Sequence, residues 1–292
     1  MSFENIDTAR RKFSELTCLL REAGNAVLAF SGGVDSSFLL KAMTMSDIKV
    51  LAVTAVSETV PGRDIIGSAS FAKELGVEHL TIRTEELLNE AFVSNPPDRC
   101  FFCKDELFKK IKVIARQYDY GVIFDGSNSD DLRDYRPGVK AAALHAVRSP
   151  LAESSFTKDE IRVMARELGL DIWNRPASPC LSSRFPYGQR ITPQDLRRVE
   201  EAEEFLRTFG IHDIRVRNHG DTARIETGEE EMYLLVSPAN RRLVTEKLKS
   251  LGYRYVSLDL EGYISGSMNR VLGNQDSKTG LRDTCRKTGD VI

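Results

Sequence analysis

The stretch SGGVDSS at residues 31–37 decides the fold, because it joins a short apolar run to a helical pattern. The apolar run NAVLAF at residues 25–30 predicts a buried strand, and the residues after the glycines, SSFLLKAM, have helical spacing. Gly32 and Gly33 let backbone N–H groups approach a bound anion, and the positive end of the helix dipole faces the same point. The sequence therefore predicts a strand, a phosphate-binding loop and a helix.

The other side chains of the loop favour a nucleotide with a metal ion. Asp35 cannot bind phosphate directly, so we expect it to hold a magnesium ion that bridges the phosphates. No Gly-Lys-Ser or Gly-Lys-Thr follows the glycines, which argues against the Walker class. The alternative, a glycine turn before an ordinary helix, is disfavoured by seven residues in this order. The predicted ATP contacts in the loop are Ser31, Gly32, Gly33, Val34, Asp35, Ser36 and Ser37.

Short apolar runs and helical patterns continue to alternate up to about residue 187. This alternation predicts a mainly parallel sheet with helices on both faces, which is a doubly wound α/β domain over residues 1–187. The predicted strands after the first are 49–56, 79–83 and 121–125, and the predicted helices include 6–24, 104–118 and one with a capping box at Thr157 and Glu160.

The fourth predicted strand ends where open α/β sheets bind their ligands. Asp125, Gly126 and Asn128 stand at this end. We therefore expect these three residues to contact ATP or the substrate. A strand-end cap is the alternative role for Asp125.

The pattern changes after residue 187. A charged helix begins at Pro193, and two alternating runs follow, IRVR at 214–217 and ARIE at 223–226. A helix over about 239–251 and a strand over 253–260 complete a β-β-α-β order. The sequence thus predicts a smaller α+β domain over residues 188–273 and, from its polar and aperiodic composition, a flexible tail over 274–292.

Two arginines of this second domain are candidate phosphate ligands. Arg215 and Arg217 alternate along one predicted strand, so both point to the same face and can clamp a phosphate. Arg184 is a third candidate. The alternative is a solvated strand face with ion pairs to Glu226 or Asp221.

Composition restricts the classes of function. The 41 Lys and Arg residues nearly balance the 43 Asp and Glu residues, which argues against a dedicated nucleic-acid-binding protein. The N-terminus lacks the apolar segment of a signal peptide, and no run is long enough for a membrane span. Five cysteines, an odd number, favour thiols or metal ligands over disulfides. We expect a cytoplasmic protein without a membrane or nucleic-acid partner.

Three of the cysteines form a second constellation. Cys100 and Cys103 make a C-x-x-C pair in RCFFCK, and Cys180 lies in the Pro-rich stretch PASPCLSSRFPYG. The pair is open to four interpretations: a redox disulfide, structural zinc, unrelated buried thiols, or a 4Fe-4S cluster held with Cys180 through three irons, whose fourth iron stays open for a sulfide. Cys180 itself is a candidate catalytic nucleophile that attacks an adenylated carbonyl and delivers sulfur as AMP leaves.

SGGVDSS matches the signature of the PP-loop ATP pyrophosphatases, whose members cleave ATP to AMP and pyrophosphate through an adenylated substrate. Residues 10–270 further resemble one branch of that superfamily, the LarE sulfur transferases of nickel-pincer nucleotide biosynthesis. The stretches that carry this resemblance are SGGVDSS, RCFFCK, DGSNSDD (125–131), DYRPG (134–138), SPLAE (149–153), RPASPCLSSRFPYGQRIT (175–192), IRVR and GSMN (266–269).

The resemblance implies a fold, a substrate and cofactors. It implies an adenine nucleotide alpha hydrolase-like domain, ATP and Mg²⁺ as cofactors, and a homo-oligomeric assembly. The implied substrate is pyridinium-3,5-biscarboxylic acid mononucleotide, whose carboxylates become thiocarboxylates. Members differ in the sulfur source: one type sacrifices the cysteine at the position of Cys180 and leaves dehydroalanine, and another holds a 4Fe-4S cluster on three cysteines. Because all three cysteines are present, we favour the cluster type.

One departure and two alternatives accompany the resemblance. Ile264 in GYISGSMN stands where members often carry arginine, so any phosphate contact of that arginine must come from another residue here or be dispensable. A tRNA-thiolating enzyme would share the loop and similar cysteines, but neither the charge balance nor an RNA-binding domain supports one. A nucleotide-sensing regulator without chemistry would not need the three cysteines.

Overall fold

The computed structural model describes residues 3–132, 137–264 and 266–272. The predicted tail over 274–292 and most of the DYRPG stretch lie outside these residues. The strands are β1 (Asn25–Ala29), β2 (Lys49–Val56), β3 (Glu78–Arg83), β4 (Val122–Asp125), β5 (Ile214–His219), β6 (Thr222–Thr227) and β7 (Tyr255–Leu258). The α-helices are α1 (Phe3–Ala23), α2 (Val34–Met45), α3 (Gly62–Glu74), α4 (Glu90–Val93), α5 (Arg99–Gln117), α6 (Pro137–Leu144), α7 (Pro150–Glu153), α8 (Lys158–Glu167), α9 (Pro193–Arg207), α10 (Met232–Val236) and α11 (Pro238–Ser250).

The first sheet has four parallel strands in the order β3-β2-β1-β4. In the register of β1 with β4, Ala29 lies opposite Asp125. The two strands therefore end together, and the loops that follow them, 30–33 and 126–130, leave the same edge of the sheet. This register places the predicted phosphate loop beside Gly126 and Asn128.

Helices cover both faces of this sheet, as the alternation of the sequence predicts. Along β1, Ala26 and Leu28 belong to a core with α1, α2 and α8. Val27, between them, belongs to the opposite core with α5 and α6. Because successive strand residues point to opposite faces, one short apolar strand serves two cores. The prediction of a doubly wound α/β fold is confirmed.

A second, smaller sheet follows in the order β5-β6-β7. Strands β5 and β6 are antiparallel and turn at Gly220, whose φ of 65° lies in the left-handed region. Strand β7 pairs in parallel with β6 after α11 has crossed over. Leu206 of α9 and Leu248 of α11 pack on Val216 and Ile225 of the sheet. This is the predicted α+β unit.

A fourth apolar cluster joins the two parts of the chain. Leu181 and Phe185 pack with Leu196 and Val199 of α9, and Phe92 of α4 completes the cluster. The cluster spans the predicted domain boundary at 187/188, so the segment that carries Cys180 is packed between the parts. The division at 187/188 stays a proposal, supported by the separate cores of the two sheets.

Within the described residues, no helix is long and apolar enough to cross a bilayer.

Candidate active site

A cavity of about 470 Å³ lies between the carboxyl edge of the first sheet and the second sheet. One wall is the predicted phosphate loop, and another comes from the Pro-rich segment before Cys180. Strand β5 and the segment that contains Gly266 close the remaining sides. The lining residues are Ser31, Gly32, Gly33, Val34, Asp35, Asp64, Arg99, Lys158, Arg175, Pro176, Ala177, Ser178, Pro179, Ser183, Tyr187, Arg215, Arg217, Tyr263, Gly266, Met268 and Asn269.

The phosphate loop has the geometry that its sequence predicts. Gly32 has a φ of 69°, and a Cβ at this position would lie 3.0 Å from the Cβ of Ser68. Only glycine fits this turn without strain. Ser31 and Ser36 link the two ends of the loop through hydroxyls 3.1 Å apart. Helix α2 begins at Val34. Its cap residue, Gly33, has no side chain that could accept a hydrogen bond from the first N–H groups of the helix, so these groups are available to an anion.

Asp35 lies in the first turn of α2 and is held from two sides. The Lys158 ammonium donates to Asp35 Oδ1 at 2.6 Å, and the Asn128 amide donates to Oδ2 at 3.4 Å. Burial raises the pKa of Asp35, the Lys158 charge opposes this shift, and nearby Asp131 adds to it. A carboxylate with a raised pKa beside a phosphate site is suited to a divalent cation, because the cation stabilises its charged form.

The residues at the carboxyl end of β4 and just after it are not on the cavity wall. Asp125 is buried and accepts hydrogen bonds from Ser149 Oγ at 2.7 Å and from Lys104 Nζ at 3.1 Å. Burial by itself raises the pKa of Asp125, but the Lys104 charge and the hydroxyl donors lower it overall. Gly126 packs on the backbone of Ser36. Gly126 and Asn128 thus contact the start of α2, Asp125 is hydrogen-bonded to Ser149 and Lys104, and none of the three predicted ATP contacts is a lining residue.

Both β5 arginines reach the cavity, and each is already held by the protein. Arg217 donates to Glu226 Oε2 at 2.6 Å and to the Ser183 carbonyl at 2.9 Å. Arg215 donates to the Ala177 carbonyl at 2.6 Å and lies 4.5 Å from the centre of the Tyr263 ring. The two side chains share one face, as the alternation predicts, and Arg217 also makes the ion pair with Glu226 that was its alternative role.

Arg184, the third predicted phosphate ligand, is placed differently. Its side chain is 0% exposed and makes a bidentate ion pair with Glu203 of α9, at 2.8 and 2.9 Å. It also donates to the carbonyls of Pro179 and Cys180. Because it is not among the lining residues and its donors are used, this arrangement does not support phosphate binding by Arg184. The side chain instead fixes the backbone of the Cys180 segment.

The three candidate cysteines occupy one neighbourhood. Cys103 is partly buried against the apolar cluster that contains Leu181, the residue after Cys180. Burial raises the pKa of the Cys103 thiol well above its ordinary value, and the charges of Glu86, Cys180 and Cys100 raise it further. Within the described residues, no three His, Cys, Asp or Glu side chains are grouped so that they could hold a metal ion. Ligation of a common cluster by the three cysteines stays a prediction.

Several cavity residues are missing from the sequence prediction. Lys158 is the clearest case, because a cation in the first turn of a helix opposes the helix dipole and is a signal of function. The capping box before it is confirmed, since Thr157 Oγ1 and the Glu160 carboxylate exchange hydrogen bonds with each other's backbone N–H groups. Arg175 also lines the cavity and donates to buried Asp64 at 2.7 Å. No local pattern indicates that contact, which joins residues far apart in sequence.

Known proteins resemble this chain over most of its length, although no protein-family model matches it. The pyridinium-3,5-bisthiocarboxylic acid mononucleotide synthase of Lactiplantibacillus plantarum is 37% identical over 267 residues, which cover 91% of this chain and 96% of that protein. An uncharacterized protein of Synechocystis sp. is 41% identical over 262 residues, 89% of this chain and 98% of that protein. A more distant relative, the tRNA-specific 2-thiouridylase MnmA of Methylobacterium nodulans, is 24% identical over 80% of this chain and 73% of its own length.

Proposed function

Since the chain belongs to the LarE family, we propose that it uses ATP to convert the two carboxylates of pyridinium-3,5-biscarboxylic acid mononucleotide into thiocarboxylates. Its named relatives are a synthase and a thiouridylase, which are sulfurtransferases of the PP-loop type. The observation that carries the proposal is one cavity that holds both the SGGVDSS loop and the paired arginines of β5.

ATP would bind with its phosphates on the loop. The N–H groups at the start of α2 and the hydroxyl of Ser31, which lines the cavity, would supply donors for phosphate oxygens. Asp35 fits a magnesium site, because its partly buried carboxylate faces the cavity at the helix start and magnesium is often bound by one carboxylate and the phosphates. Lys158 would then pair with the phosphates instead of with Asp35.

The mononucleotide would bind across the cavity from ATP. Arg215 and Arg217 line the same cavity from the second sheet, and guanidinium groups suit a phosphate monoester. Their contacts to the Ala177 and Ser183 carbonyls hold them in place before the substrate arrives. Pre-positioned donors lose little freedom on binding, which favours affinity.

The reaction would proceed in two steps at each carboxylate. A carboxylate oxygen attacks the α-phosphorus of ATP, the bond to the β-phosphate oxygen breaks, and pyrophosphate leaves. A sulfur nucleophile then attacks the acyl carbon, and AMP departs with the original carboxylate oxygen. The net change is the replacement of one oxygen by sulfur, and a second ATP serves the second carboxylate.

The thiols Cys100, Cys103 and Cys180 would hold a 4Fe-4S cluster. Thiolates are the ligands that such clusters use, and the charges of Cys100 and Cys180 both act on Cys103, but within the described residues the three thiols are not grouped closely enough to hold a metal ion as they stand. When bound, the cluster supplies a sulfide for transfer from its open iron. Sacrifice of the Cys180 sulfur is the alternative source in the same reaction.

The test combines ATP, magnesium and the biscarboxylate mononucleotide with the anaerobically purified protein. We expect thiocarboxylate and AMP in equal amounts by mass spectrometry. Cys180→Ala should abolish thiocarboxylate formation and retain pyrophosphate release, and the matched control Cys18→Ala, an exposed thiol of α1, should behave as the wild type. Thiocarboxylate formation at normal yield by Cys180→Ala would refute the proposal.

A second measurement separates the two sulfur sources. Absorption, electron paramagnetic resonance and iron and sulfide analysis should reveal a cluster in the wild type and its loss in Cys100→Ser and Cys103→Ser. The intact mass of the protein after turnover should then be unchanged. A mass loss equal to one sulfur and two hydrogens would identify dehydroalanine at Cys180 and select the sacrificial route.

A further inference from the structure

Arg99 is a buried cation on the cavity wall that has no partner anion among the residues that the structure describes. It is the first residue of α5 and is only 7% exposed, although it lines the cavity. Its Nε is fully buried and has no hydrogen-bond partner within the described residues. Among those same residues, its side chain makes no ion pair, and its guanidinium carbon lies over the Tyr187 ring, 5.1 Å from the ring centre.

The other cations of the cavity differ from Arg99 because each is held by a carboxylate or by carbonyls, although the Nε atoms of Arg215 and Arg217 are likewise buried without a hydrogen-bond partner among the described residues. Lys158 pairs with Asp35, Arg175 with Asp64 and Arg217 with Glu226, at 2.6 to 2.7 Å. Arg215 donates to two carbonyls, those of Ile214 and Ala177. A buried guanidinium with unused donors is costly unless an anion binds it. The unused donors of Arg99 therefore point to a ligand.

Arg99 lies near the part of the cavity where the substrate is proposed to bind. Tyr187, on which its guanidinium stacks, donates to Asn269 Oδ1 at 2.9 Å, and Asn269 is itself a lining residue. Cys100 follows Arg99 directly in α5. The cation thus lies between the segment that closes the cavity and the first cysteine of the C-x-x-C pair.

On the basis of the proposed function, we infer that Arg99 binds the ring carboxylate that is not being activated. A guanidinium fork matches a carboxylate in two parallel hydrogen bonds. The reacting carboxylate loses its own charge when it becomes an acyl adenylate, so a cation fixed on it would favour the starting state over the product of the first step. The other ring acid, as carboxylate or thiocarboxylate, stays anionic throughout and is the suitable partner. Arg99 would then select a biscarboxylate over a monocarboxylate mononucleotide.

The test compares two ligands that differ by this one carboxylate. Affinities for pyridinium-3,5-biscarboxylic acid mononucleotide, for nicotinic acid mononucleotide and for ATP with magnesium are measured by calorimetry. Arg99→Gln should weaken binding of the biscarboxylate about 10- to 100-fold, as expected for hydrogen bonds to a charged group. Binding of nicotinic acid mononucleotide and of ATP should change less than about twofold.

Two further variants complete the design. Arg99→Lys keeps the charge without the fork, so an intermediate loss of biscarboxylate affinity is expected and folding is preserved. The matched control is Arg190→Gln, because Arg190 is an exposed arginine paired with Glu90 and is not a lining residue of the cavity. It should leave all three affinities unchanged.

The outcomes separate this inference from the proposed function. An equal loss for both mononucleotides in Arg99→Gln, or a loss of ATP affinity, would overturn the inference while the wild type still binds the biscarboxylate. A wild type that binds neither mononucleotide would overturn the proposed function together with the inference.

Discussion

Gly126 shows how closely the two loops at the carboxyl edge of the first sheet approach each other. A Cβ on Gly126 would lie 3.0 Å from both the N and the Cα of Ser36, and backbone atoms in the first turn of α2 cannot move aside cheaply. We predict that Gly126→Ala lowers the free energy of unfolding by about 1 to 3 kcal/mol and weakens ATP binding, because the start of α2 must shift. Urea unfolding and calorimetry with ATP and magnesium measure the two effects.

The control for this variant is Gly121→Ala, at the other end of β4. There a new Cβ would meet only Asn25 Oδ1, at 3.4 Å, which is the end of a side chain. ATP affinity should be unchanged in Gly121→Ala. Equal ATP affinities for the two variants would contradict the idea that the Gly126 contact shapes the loop.

Single residues also mark the limit of what the sequence predicts. Gly126 and Asn128 could be assigned to the site because β4 ends just before them, and strand ends are visible in a local pattern. The contact between Lys158 and Asp35 joins positions 123 apart. One sequence carries no signal for such a pairing, so the partner of Lys158 and the places of Arg175 and Arg99 in the cavity could be found only from the structure.

At the scale of elements, a buried ion pair joins the Cys180 segment to α9 and β5. Glu203 of α9 binds Arg184 and accepts a hydrogen bond from the Val216 N–H of β5 at 3.0 Å. Breaking a buried pair leaves the remaining charge uncompensated. We predict that Glu203→Gln lowers the free energy of unfolding by about 3 to 5 kcal/mol, as measured in urea at neutral pH.

Its neighbour on the same helix is a matched control. Glu204 is 48% exposed and lies 3.5 Å or more from its arginine partners. Glu204→Gln should change the free energy of unfolding by no more than about 0.5 kcal/mol. A similar loss of unfolding free energy in the two variants would show that the buried pair with Arg184 stabilises the fold no more than the exposed Glu204 does.

The same pair predicts a dependence of stability on pH. Burial by itself raises the pKa of Glu203, but the charge and hydrogen bonds of Arg184 lower it overall. A carboxyl whose pKa is lower in the folded state stabilises the fold above its unfolded pKa, about 4.3 for Glu, and this contribution is lost as the pH falls through the folded value. The difference in unfolding free energy between wild type and Glu203→Gln should therefore stay constant from pH 7 to about 5 and shrink below about 4.3. A difference that persists in acid would contradict this assignment.

Elements with a regular period were predicted well, and their irregular connections were not. The strand at 49–56 and the capping box at Thr157 agree with the structure because hydrophobic alternation and capping are local properties. The segment from 175 to 192 has no period, so its packing against α4 and α9 could not be read from it. The sequence therefore made Arg184 a candidate phosphate ligand, whereas the structure pairs it with Glu203.

At the scale of the whole molecule, the cavity takes its walls from both sheets. The SGGVDSS loop belongs to the first sheet, and Arg215, Arg217 and the segment 266–269 belong to the second part of the chain. Composition and periodicity predict each sheet separately, but they do not indicate that the two share a cavity. The shared cavity follows from the apolar cluster of Leu181, Phe185 and α9, which holds the parts together.

This arrangement predicts how ligands protect the backbone from hydrogen exchange. ATP with magnesium should slow exchange in residues 31–37, whose N–H groups would bind the phosphates. The mononucleotide should slow exchange in 176–183 and in 266–269, on both sides of the predicted boundary, because these segments surround the β5 arginines. Arg217→Gln should remove the protection by the mononucleotide and retain the protection by ATP, since Arg217 belongs to the second sheet and the loop belongs to the first.

If the mononucleotide protects only one of its two segments, then the cavity does not act as a joint site. If Arg217→Gln loses the ATP effect as well, then the arginine acts on the nucleotide, and the division of the cavity into an ATP side and a substrate side is wrong.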